Sequence, residues 1–270
     1  MEDNNSVKTF YGNAKEDDRL GRETLEYTRT KSIVSRYLCC NSMEIADVGG
    51  ATGAYSFWLA KIGHQVHLLD LAENHIEIAK QRSVEKGIKL ASYSCADARS
   101  LPYENESMDM VLLMGALYHF QAIESRMKCL TEAFRVLRKD GVLLCTVMNR
   151  YNYLISSLKY SHLREKIGLD SIKHALSTGV YDNTAYTSMP LLYGYTPREI
   201  FLEMKESGFD DITQIAVEGI ANALGDNTLP LDENEAEKLI KCIELVESVP
   251  ELLGVSRNII TVGKKVKICN

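Results

Sequence analysis

The sequence predicts an α/β fold built on a doubly wound, mostly parallel sheet of seven strands. Two observations carry this prediction: short apolar segments alternate with segments of helical periodicity, and a glycine-rich turn follows the first strand segment. Parallel neighbours in a sheet need crossover connections of helix length, so the alternation favours parallel pairing. Ligands bind such sheets at the carboxyl ends of the strands, where the connections diverge.

The elements follow one another in a regular order. Strand segments are runs of apolar and β-branched residues bounded by turn residues, whereas helical segments repeat apolar residues every three or four positions. One or two leading helices are expected within about 18–39. Strands are expected at about 44–48, 65–69, 90–95, 109–114, 141–148, 212–218 and 258–264. Helices are expected at about 53–62, 73–86, 123–138, 197–207 and 233–247.

Two connections are longer than this pattern requires. Residues about 150–195 contain seven of the fourteen tyrosines, at positions 151, 153, 160, 181, 186, 193 and 195. This concentration predicts a helical cap over the ligand site. A second insertion, about 219–256, is acidic and helix-forming, and is a candidate second wall. We therefore expect an N-terminal helical lid over 1–40 and a ligand-binding domain over 41–270 that carries both insertions.

Composition excludes several classes of protein. The net charge is −6 and the sequence pI is about 5.6, which argues against nucleic acid as the main partner. The seven cysteines form no C-x-x-C pair, so reduced thiols and no metal site are expected. The polar, acidic start lacks the features of a secretory signal, and the longest apolar run, 110–117, is too short to cross a bilayer. A cytoplasmic protein without membrane insertion is expected.

The glycine-rich turn begins directly after Asp47 and contains Gly49, Gly50 and Gly53. Asp70 ends the next strand segment, about 20 residues later. The glycines let the backbone approach a ligand closely, and a carboxylate at this place can accept both hydroxyls of a ribose. Enzymes that use dinucleotides and enzymes that use S-adenosylmethionine (SAM) share this layout, so the turn alone does not distinguish them.

The following segments distinguish the two classes. A third acid, Asp97, follows strand three. A Leu-Pro-Tyr turn at 101–103 and a Met-Asp pair at 108–109 then lead into strand four. An Arg-Val-Leu-Arg-Lys-Asp-Gly run at 135–141 leads into strand five. In this order the chain resembles class I SAM-dependent methyltransferases, especially the group similar to the ubiquinone/menaquinone-biosynthesis methyltransferases. The resemblance covers roughly 40–150. Two positions depart from it: Ala51 replaces the usual central glycine, and Met108 replaces the usual phenylalanine.

The resemblance implies a Rossmann-like methyltransferase fold with SAM as cofactor and S-adenosyl-L-homocysteine (SAH) as product. It implies that Asp70 holds the ribose and that Asp97 meets the adenine amino group. Asp47 is expected to organise the loop near the amino-acid tail of the cofactor. The remaining cofactor-site residues that it implies are Gly49, Gly50, Gly53, Leu71, Ala98 and Met114.

Two residues before the first strand are further candidates for the cofactor site. Arg29 presents a planar guanidinium that could pair with the carboxylate of the methionine portion. It could instead pair with Glu26, three positions earlier on a helix. Tyr11 could belong to the N-terminal lid or to a disordered tail.

His119 and Tyr118 are the candidate catalytic residues, because they follow strand four, where the methyl group and the acceptor should meet. A histidine of ordinary pKa, near 6.5, can accept a proton from a hydroxyl or an amine at neutral pH. The alternative is that His119 packs against the cap and orders the loop, while Tyr118 shapes the pocket. No metal is needed, since the sulfonium already activates the methyl group.

The acceptor is expected to be a small molecule. The chain has Met-Gly-Ala-Leu-Tyr-His at 114–119, where nucleic-acid amino-methyltransferases typically have an Asn/Asp-Pro-Pro-Tyr-like turn. A tyrosine-rich cap suits an aromatic or amphipathic acceptor. The sequence leaves open which atom is methylated, and the oligomeric state. Two alternatives remain: an NAD(P)-dependent oxidoreductase with a degenerate glycine loop, and a non-catalytic SAM-binding protein.

Overall fold

A seven-stranded sheet forms the centre of the molecule. The computed structural model describes residues 25–159, 168–181, 191–223 and 233–266. The strands in this part of the chain are β1 (Glu44–Val48), β2 (Gln65–Asp70), β3 (Ser92–Cys95), β4 (Met108–Leu113), β5 (Leu137–Met148), β6 (Val180–Tyr181), β7 (Leu192–Tyr193), β8 (Asp210–Ala216) and β9 (Asn258–Lys264). The order in the large sheet is β3-β2-β1-β4-β5-β9-β8.

Strands β1 to β5 pair in parallel, and β9 runs antiparallel between β5 and β8. Strand β1 lies between β2 and β4 and places Asp47 opposite Leu68 of β2 and Leu112 of β4. The carboxyl ends of β1, β2, β3, β4 and β5 therefore meet at one edge. This arrangement confirms the predicted doubly wound, mostly parallel fold.

Helices cover both faces of the sheet. Their bounds are α1 (Leu25–Ser35), α2 (Ala54–Lys61), α3 (Glu73–Lys86), α4 (Ile123–Val136), α5 (Asn152–Lys159), α6 (Leu169–Thr178), α7 (Pro197–Glu206), α8 (Glu233–Val246) and α9 (Pro250–Leu253), with short 3-10 turns at Leu117–His119 and Gly219–Ala223. One core cluster packs α4 and α7 on the sheet, and a second packs α1, α2 and α3. Strands buried on both faces are expected to be mostly apolar, and β4 is apolar at every position except Asp109.

The junction between α4 and β5 differs from the prediction. A helix to about 138 and a strand from about 141 were expected, but α4 ends at Val136 and β5 begins at Leu137. The ladder with β4 shifts register between Met108 and Met110, and Asp140 has a φ of 63°. The additional strand residues therefore belong to an irregular, bulged start of β5, which has no period-two pattern to reveal it.

The first insertion combines helices with a small ribbon. Helices α5 and α6 agree with a helical cap, but the antiparallel pair of β6 and β7 was not predicted. The insertion has its own apolar cluster, made of Tyr153, Ile172, Ala175, Tyr181 and Leu192. Tyr118 of the 3-10 turn packs against this cluster. The cap thus rests on the segment that follows β4.

The second insertion packs against helix α1. The carboxylates of Glu244 and Glu247 pair with the guanidinium groups of Arg29 and Arg36. Buried Ile33 and Val34 join α1 to the core. Residues 1–24 lie outside the described part of the chain, so the division into a lid over 1–40 and a domain over 41–270 stays a prediction. None of the helices in the described ranges is both long and apolar enough to cross a membrane.

Candidate cofactor and active site

The glycine-rich turn folds across the end of β2. The backbone amides of Gly49 and Gly50 both donate to the carbonyl of Leu69, at 2.8 and 3.2 Å. A Cβ at position 49, where φ is +73°, would lie 3.3 Å from Ala116 Cβ in the turn after β4. A Cβ at position 50 would lie 2.7 Å from the carboxylate carbon of Asp47. Glycine suits position 49 because of its positive φ, and at position 50 a Cβ would force Asp47 or Leu68 to shift.

Ala51 adopts the left-handed conformation without being a glycine. Its φ is 47°, a region that costs an alanine about 1–2 kcal/mol. Its amide donates to Asp70 Oδ2 at 2.9 Å, which helps to hold the turn in this conformation. Gly53, with a φ of +87°, then begins α2. The turn therefore accommodates alanine in place of glycine at position 51, with local backbone strain.

Asp70 joins the turn to α3. Its Oδ2 accepts the amide of Ala51, and its Oδ1 accepts the amide of Ala72 at 2.8 Å. His75 Nδ1 also donates to Oδ1, at 3.2 Å. The carboxylate is mostly buried, with 11% of the side chain exposed. It lies at the edge where the cofactor is expected, but it also holds two segments of the protein together.

Asp47 lies beneath the turn and is fully buried. Ser56 Oγ on α2 donates to its Oδ2 at 2.6 Å, while its Oδ1 has no hydrogen-bond partner among the described residues. Burial raises the pKa of Asp47 to about 6; the charge of Asp70 adds to this rise and the bond from Ser56 opposes it. This position supports the interpretation of Asp47 as an organiser of the loop.

The adenine side of the candidate site follows β2 and β3. Asp97 accepts from its neighbour Arg99 through both oxygens, at 3.0 Å from Nε and 2.6 Å from Nη2. Ala98 is buried against the core, and Leu71 is partly exposed. Cys95 Sγ lies 3.5 Å from the carbonyl oxygen of Leu71 and is exposed at this edge. The sequence analysis did not identify Arg99, which holds the carboxylate in place.

The turn after β4 brings the candidate catalytic residues together. The rings of Tyr118 and His119 are 4.5 Å apart, and Met114 Sδ accepts a bond from Thr146 Oγ1 at 2.9 Å. Burial lowers the pKa of His119 to about 4, although the charge of Asp70 opposes this shift. The imidazole is therefore neutral at pH 7 and is a weaker base than an ordinary histidine.

The predicted role of Arg29 is wrong. Its guanidinium has no exposed surface, because Nη1 lies 3.0 Å from Glu244 Oε1 and Nη2 pairs with Glu247. Its Nε donates to the carbonyl of Val217. A cofactor carboxylate cannot reach a guanidinium enclosed in this way. The alternative of an exposed helix pair fails as well, because the group is buried. Tyr11 lies outside the described residues.

Several cap tyrosines are structural. Tyr181 donates its hydroxyl to the carbonyl of Asn149 at 2.8 Å, and Tyr195 donates to Glu203 at 3.0 Å. Both rings are buried, and so is that of Tyr193, over which Arg126 lies at 3.8 Å. These rings support the base of the cap, so they do not provide the aromatic acceptor wall suggested by the tyrosine count. Tyr160 and Tyr186 lie outside the described residues.

Sequence reasoning also missed three side chains that hold the site. Arg82 of α3 donates to Thr52 Oγ1 in the glycine turn at 2.8 Å. Ser56 holds Asp47, and His75 holds Asp70. One signal was available for His75: it interrupts the apolar face of α3, where it lies buried beside Ile76.

Comparison with known proteins identifies the domain. A family model described as a methyltransferase domain matches residues 46–145. The chain is 32% identical over 103 residues to the ubiquinone/menaquinone biosynthesis C-methyltransferase UbiE of Brucella canis, covering 37% of each protein. It is 31% identical over 105 residues to the probable tRNA methyltransferase 9B of Mus musculus, covering 38% of this chain and 21% of that protein. The chain thus spans well under two thirds of these two relatives.

The fold is shared with solved structures. A SAM-dependent methyltransferase from Methanosarcina mazei aligns with a TM-score of 0.60 at 17% identity, over 87% of this chain and 98% of that chain. At this identity the likeness concerns the fold alone. The matched domain contains the glycine turn, Asp47, Asp70 and Asp97. Residues 46–145 therefore match the methyltransferase-domain family model, and the chain is similar to the class I SAM-dependent methyltransferases of the UbiE group.

Proposed function

We propose that this protein transfers a methyl group from SAM to a small-molecule acceptor. The observation that carries the proposal is the placement of Asp47, Asp70 and Asp97 at or just after the ends of three neighbouring parallel strands, beside the glycine-rich turn at 49–53. A nucleoside with a flexible, charged tail needs this combination of carboxylates and accessible backbone. Because the family model matches only residues 46–145, the activity, the substrate and the partners of the whole chain are proposals.

The residues at the sheet edge fit SAM. The Asp70 side chain is 11% exposed and keeps one acceptor position for a ribose hydroxyl, and the Asp97 side chain is one quarter exposed, so it can accept from the adenine amino group. Gly49, with a φ of +73°, lets the turn bend at the sheet edge where the methionine portion is expected. When bound, SAM supplies a methyl group that its sulfonium has already activated.

The protein's own contribution is alignment of the acceptor. Met114, Tyr118 and His119 follow β4 next to the glycine turn, and the cap cluster packs on Tyr118. A segment enclosed in this way excludes water and fixes the direction of attack. Alignment of this kind can lower a barrier by about 7–11 kcal/mol. His119, being neutral, can accept a hydrogen bond from an acceptor hydroxyl or amine.

The net charge of the chain favours a small molecule over RNA as the methyl acceptor. The chain has a net charge of −6, whereas RNA binding draws most of its affinity from basic side chains against phosphates. The matched relatives include both a probable tRNA methyltransferase and a quinone-pathway C-methyltransferase. Acceptor assays with labelled SAM should therefore include bulk tRNA beside panels of phenols, quinols and amines. Methylation of tRNA alone would reject the small-molecule part of the proposal.

The purified protein should bind SAM and SAH with micromolar-range affinity, about −8 kcal/mol, and should not bind NADH. Calorimetry with the three ligands measures this directly. Tight binding of NADH without binding of SAM would instead favour the oxidoreductase alternative. Binding of SAM without turnover on any acceptor would favour a non-catalytic SAM-binding protein.

Alkylation of cysteines locates the binding site. Cys95 is exposed beside Leu71 at the proposed adenine side, so bound SAH should slow its reaction with iodoacetamide. Cys242, exposed on α8, serves as the internal control and should react at the same rate with and without SAH. Equal protection of both thiols, or of neither, would argue against the proposed location.

The lowered pKa of His119 changes the expected pH profile. Because the imidazole stays unprotonated down to about pH 4, methyl transfer should not slow between about pH 8 and pH 5.5 on account of this residue. Initial rates of the wild type and His119→Ala across this range provide the measurement. A fall in the wild-type rate near pH 6.5 that His119→Ala abolishes would show that His119 titrates as an ordinary catalytic base.

A further inference from the structure

The carboxylate of Asp70 has few acceptor positions left for a ligand. A carboxylate offers about four lone-pair positions, and Asp70 uses one on Oδ2 for Ala51 N and two on Oδ1 for Ala72 N and His75 Nδ1. The remaining position lies on Oδ2. A ribose hydroxyl that binds strongly must therefore meet Oδ2, and the orientation of the carboxylate decides whether Oδ2 faces it.

His75 is placed to set that orientation. It lies in the first turn of α3 and has only 2% of its surface exposed. Among the described residues it makes the side-chain hydrogen bond to Asp70, whose two other bonds come from backbone amides. Since a carboxylate oxygen only accepts, the facing Nδ1 carries the proton. The buried neighbours of His75 on the same helix are Ile76 and Ala79, so packing alone calls for an apolar side chain here. Burial of an imidazole among them is costly unless its polar atoms are used.

We infer that His75 is a positioning residue that orients the Asp70 carboxylate for ribose recognition. The inference rests on the proposed function, because it requires a ribose at Asp70. The two backbone amides fix where the oxygens lie, and the imidazole resists rotation of the carboxylate about its Cβ–Cγ bond. His75 itself touches no ligand in this arrangement.

The competing explanation is that His75 only stabilises the start of α3. The helix has Ala72 at its N-cap and no side-chain cap bond, so a purely structural use of the Asp70–His75 bond is conceivable. The two explanations differ in ligand selectivity. If the role is structural, replacement of His75 lowers stability without changing which ligand features are recognised. If the role is to orient Asp70, replacement of His75 changes the contribution of a single ribose hydroxyl to binding.

The test compares the affinities of SAH and S-(2′-deoxyadenosyl)homocysteine, measured by calorimetry. The wild type should lose affinity on the order of tenfold without the 2′-hydroxyl, as expected for one hydrogen bond to a charged group. In His75→Leu this ratio should fall towards one. His75→Asn, which keeps an N–H donor near the position of Nδ1, should keep the ratio within about twofold of the wild type. His75→Met, whose flexible apolar side chain adapts to the site, replaces His75→Leu if the leucine variant does not fold.

Ile76→Val is the matched control on the same buried face of α3, and should lower the melting temperature while leaving the ratio unchanged. An unchanged ratio in the apolar His75 variants, with only a loss of stability, overturns the role of His75 and leaves the proposed function standing. A wild type that binds both ligands equally shows that Asp70 does not read the 2′-hydroxyl, which also overturns the inference. A wild type that binds neither ligand rejects the proposed function and the inference together.

Discussion

Asp70→Ala should weaken SAH binding by at least about 2 kcal/mol, roughly a thirtyfold rise in Kd, because a charge-assisted bond to the ribose is lost. The structure adds a second cause. Removal of the carboxylate also frees the amide of Ala51 from the glycine turn and the amide of Ala72 from the start of α3. The strained conformation of Ala51 then lacks this support. We therefore expect a lower melting temperature in addition to weaker binding, and calorimetry with thermal denaturation measures both.

Asp109→Ala is the control for this result. Asp109 also accepts a backbone amide, that of Glu44, and pairs with Arg138, but it lies near the amino ends of the strands. Its loss should reduce stability and leave SAH affinity unchanged. If Asp70→Ala and Asp109→Ala had the same effect on the affinity for SAH, weaker binding would reflect general destabilisation, and the assignment of the ribose to Asp70 would have to be abandoned.

Asp47→Asn should become more stable relative to the wild type as the pH rises. The folded-state pKa of Asp47 is about 6, against 3.8 for the free side chain, because burial disfavours its charge. The contribution of this group to stability is therefore complete below about pH 4 and is lost as the pH rises through about 6. The difference in pKa corresponds to about 2–3 kcal/mol. Urea denaturation of both proteins at several pH values between about 4 and 7 gives the change in their difference.

The difference between the two proteins is the relevant quantity, since it cancels the other titrating groups. An amide at position 47 carries its own burial cost, but that cost does not depend on pH. Ser56→Ala provides a matched variant: loss of its bond to Asp47 should raise the pKa of Asp47 further and steepen the fall in stability. A constant difference between Asp47→Asn and the wild type across this range would show that Asp47 does not titrate there.

The fold was predictable because its signals are local. From Met110 to Leu113, strand β4 is an apolar run of the kind that buried parallel strands have, and α3 agrees at both ends with its predicted range of 73–86. Strands β6 and β7 have two residues each, too few to show a period. The bulged start of β5 likewise depends on its pairing with β4, which no single segment of sequence contains.

The candidate site likewise has parts that the sequence predicted and parts that it did not. The glycine turn and the acids at the strand ends follow from the order of residues along the chain. The surroundings of Arg29 do not, because its partners, Glu244 and Glu247, are more than 200 residues away in sequence. The pKa of His119 is likewise set by tertiary burial, and residue type alone predicts the ordinary value. The sequence therefore did not predict the interactions between residues that only the tertiary structure brings together.

The pairing of Arg29 with Glu247 also constrains the order of events during synthesis. The two residues are 218 positions apart, so α1 leaves the ribosome long before its carboxylate partner exists. Until then the guanidinium of Arg29 lacks this partner, and the buried side chains of Ile33 and Val34 lack part of the core around them. Contacts of such long range form late, after the closure of shorter loops. Helix α1 is therefore expected to dock late, after the elements that lie between it and its partners in sequence have formed.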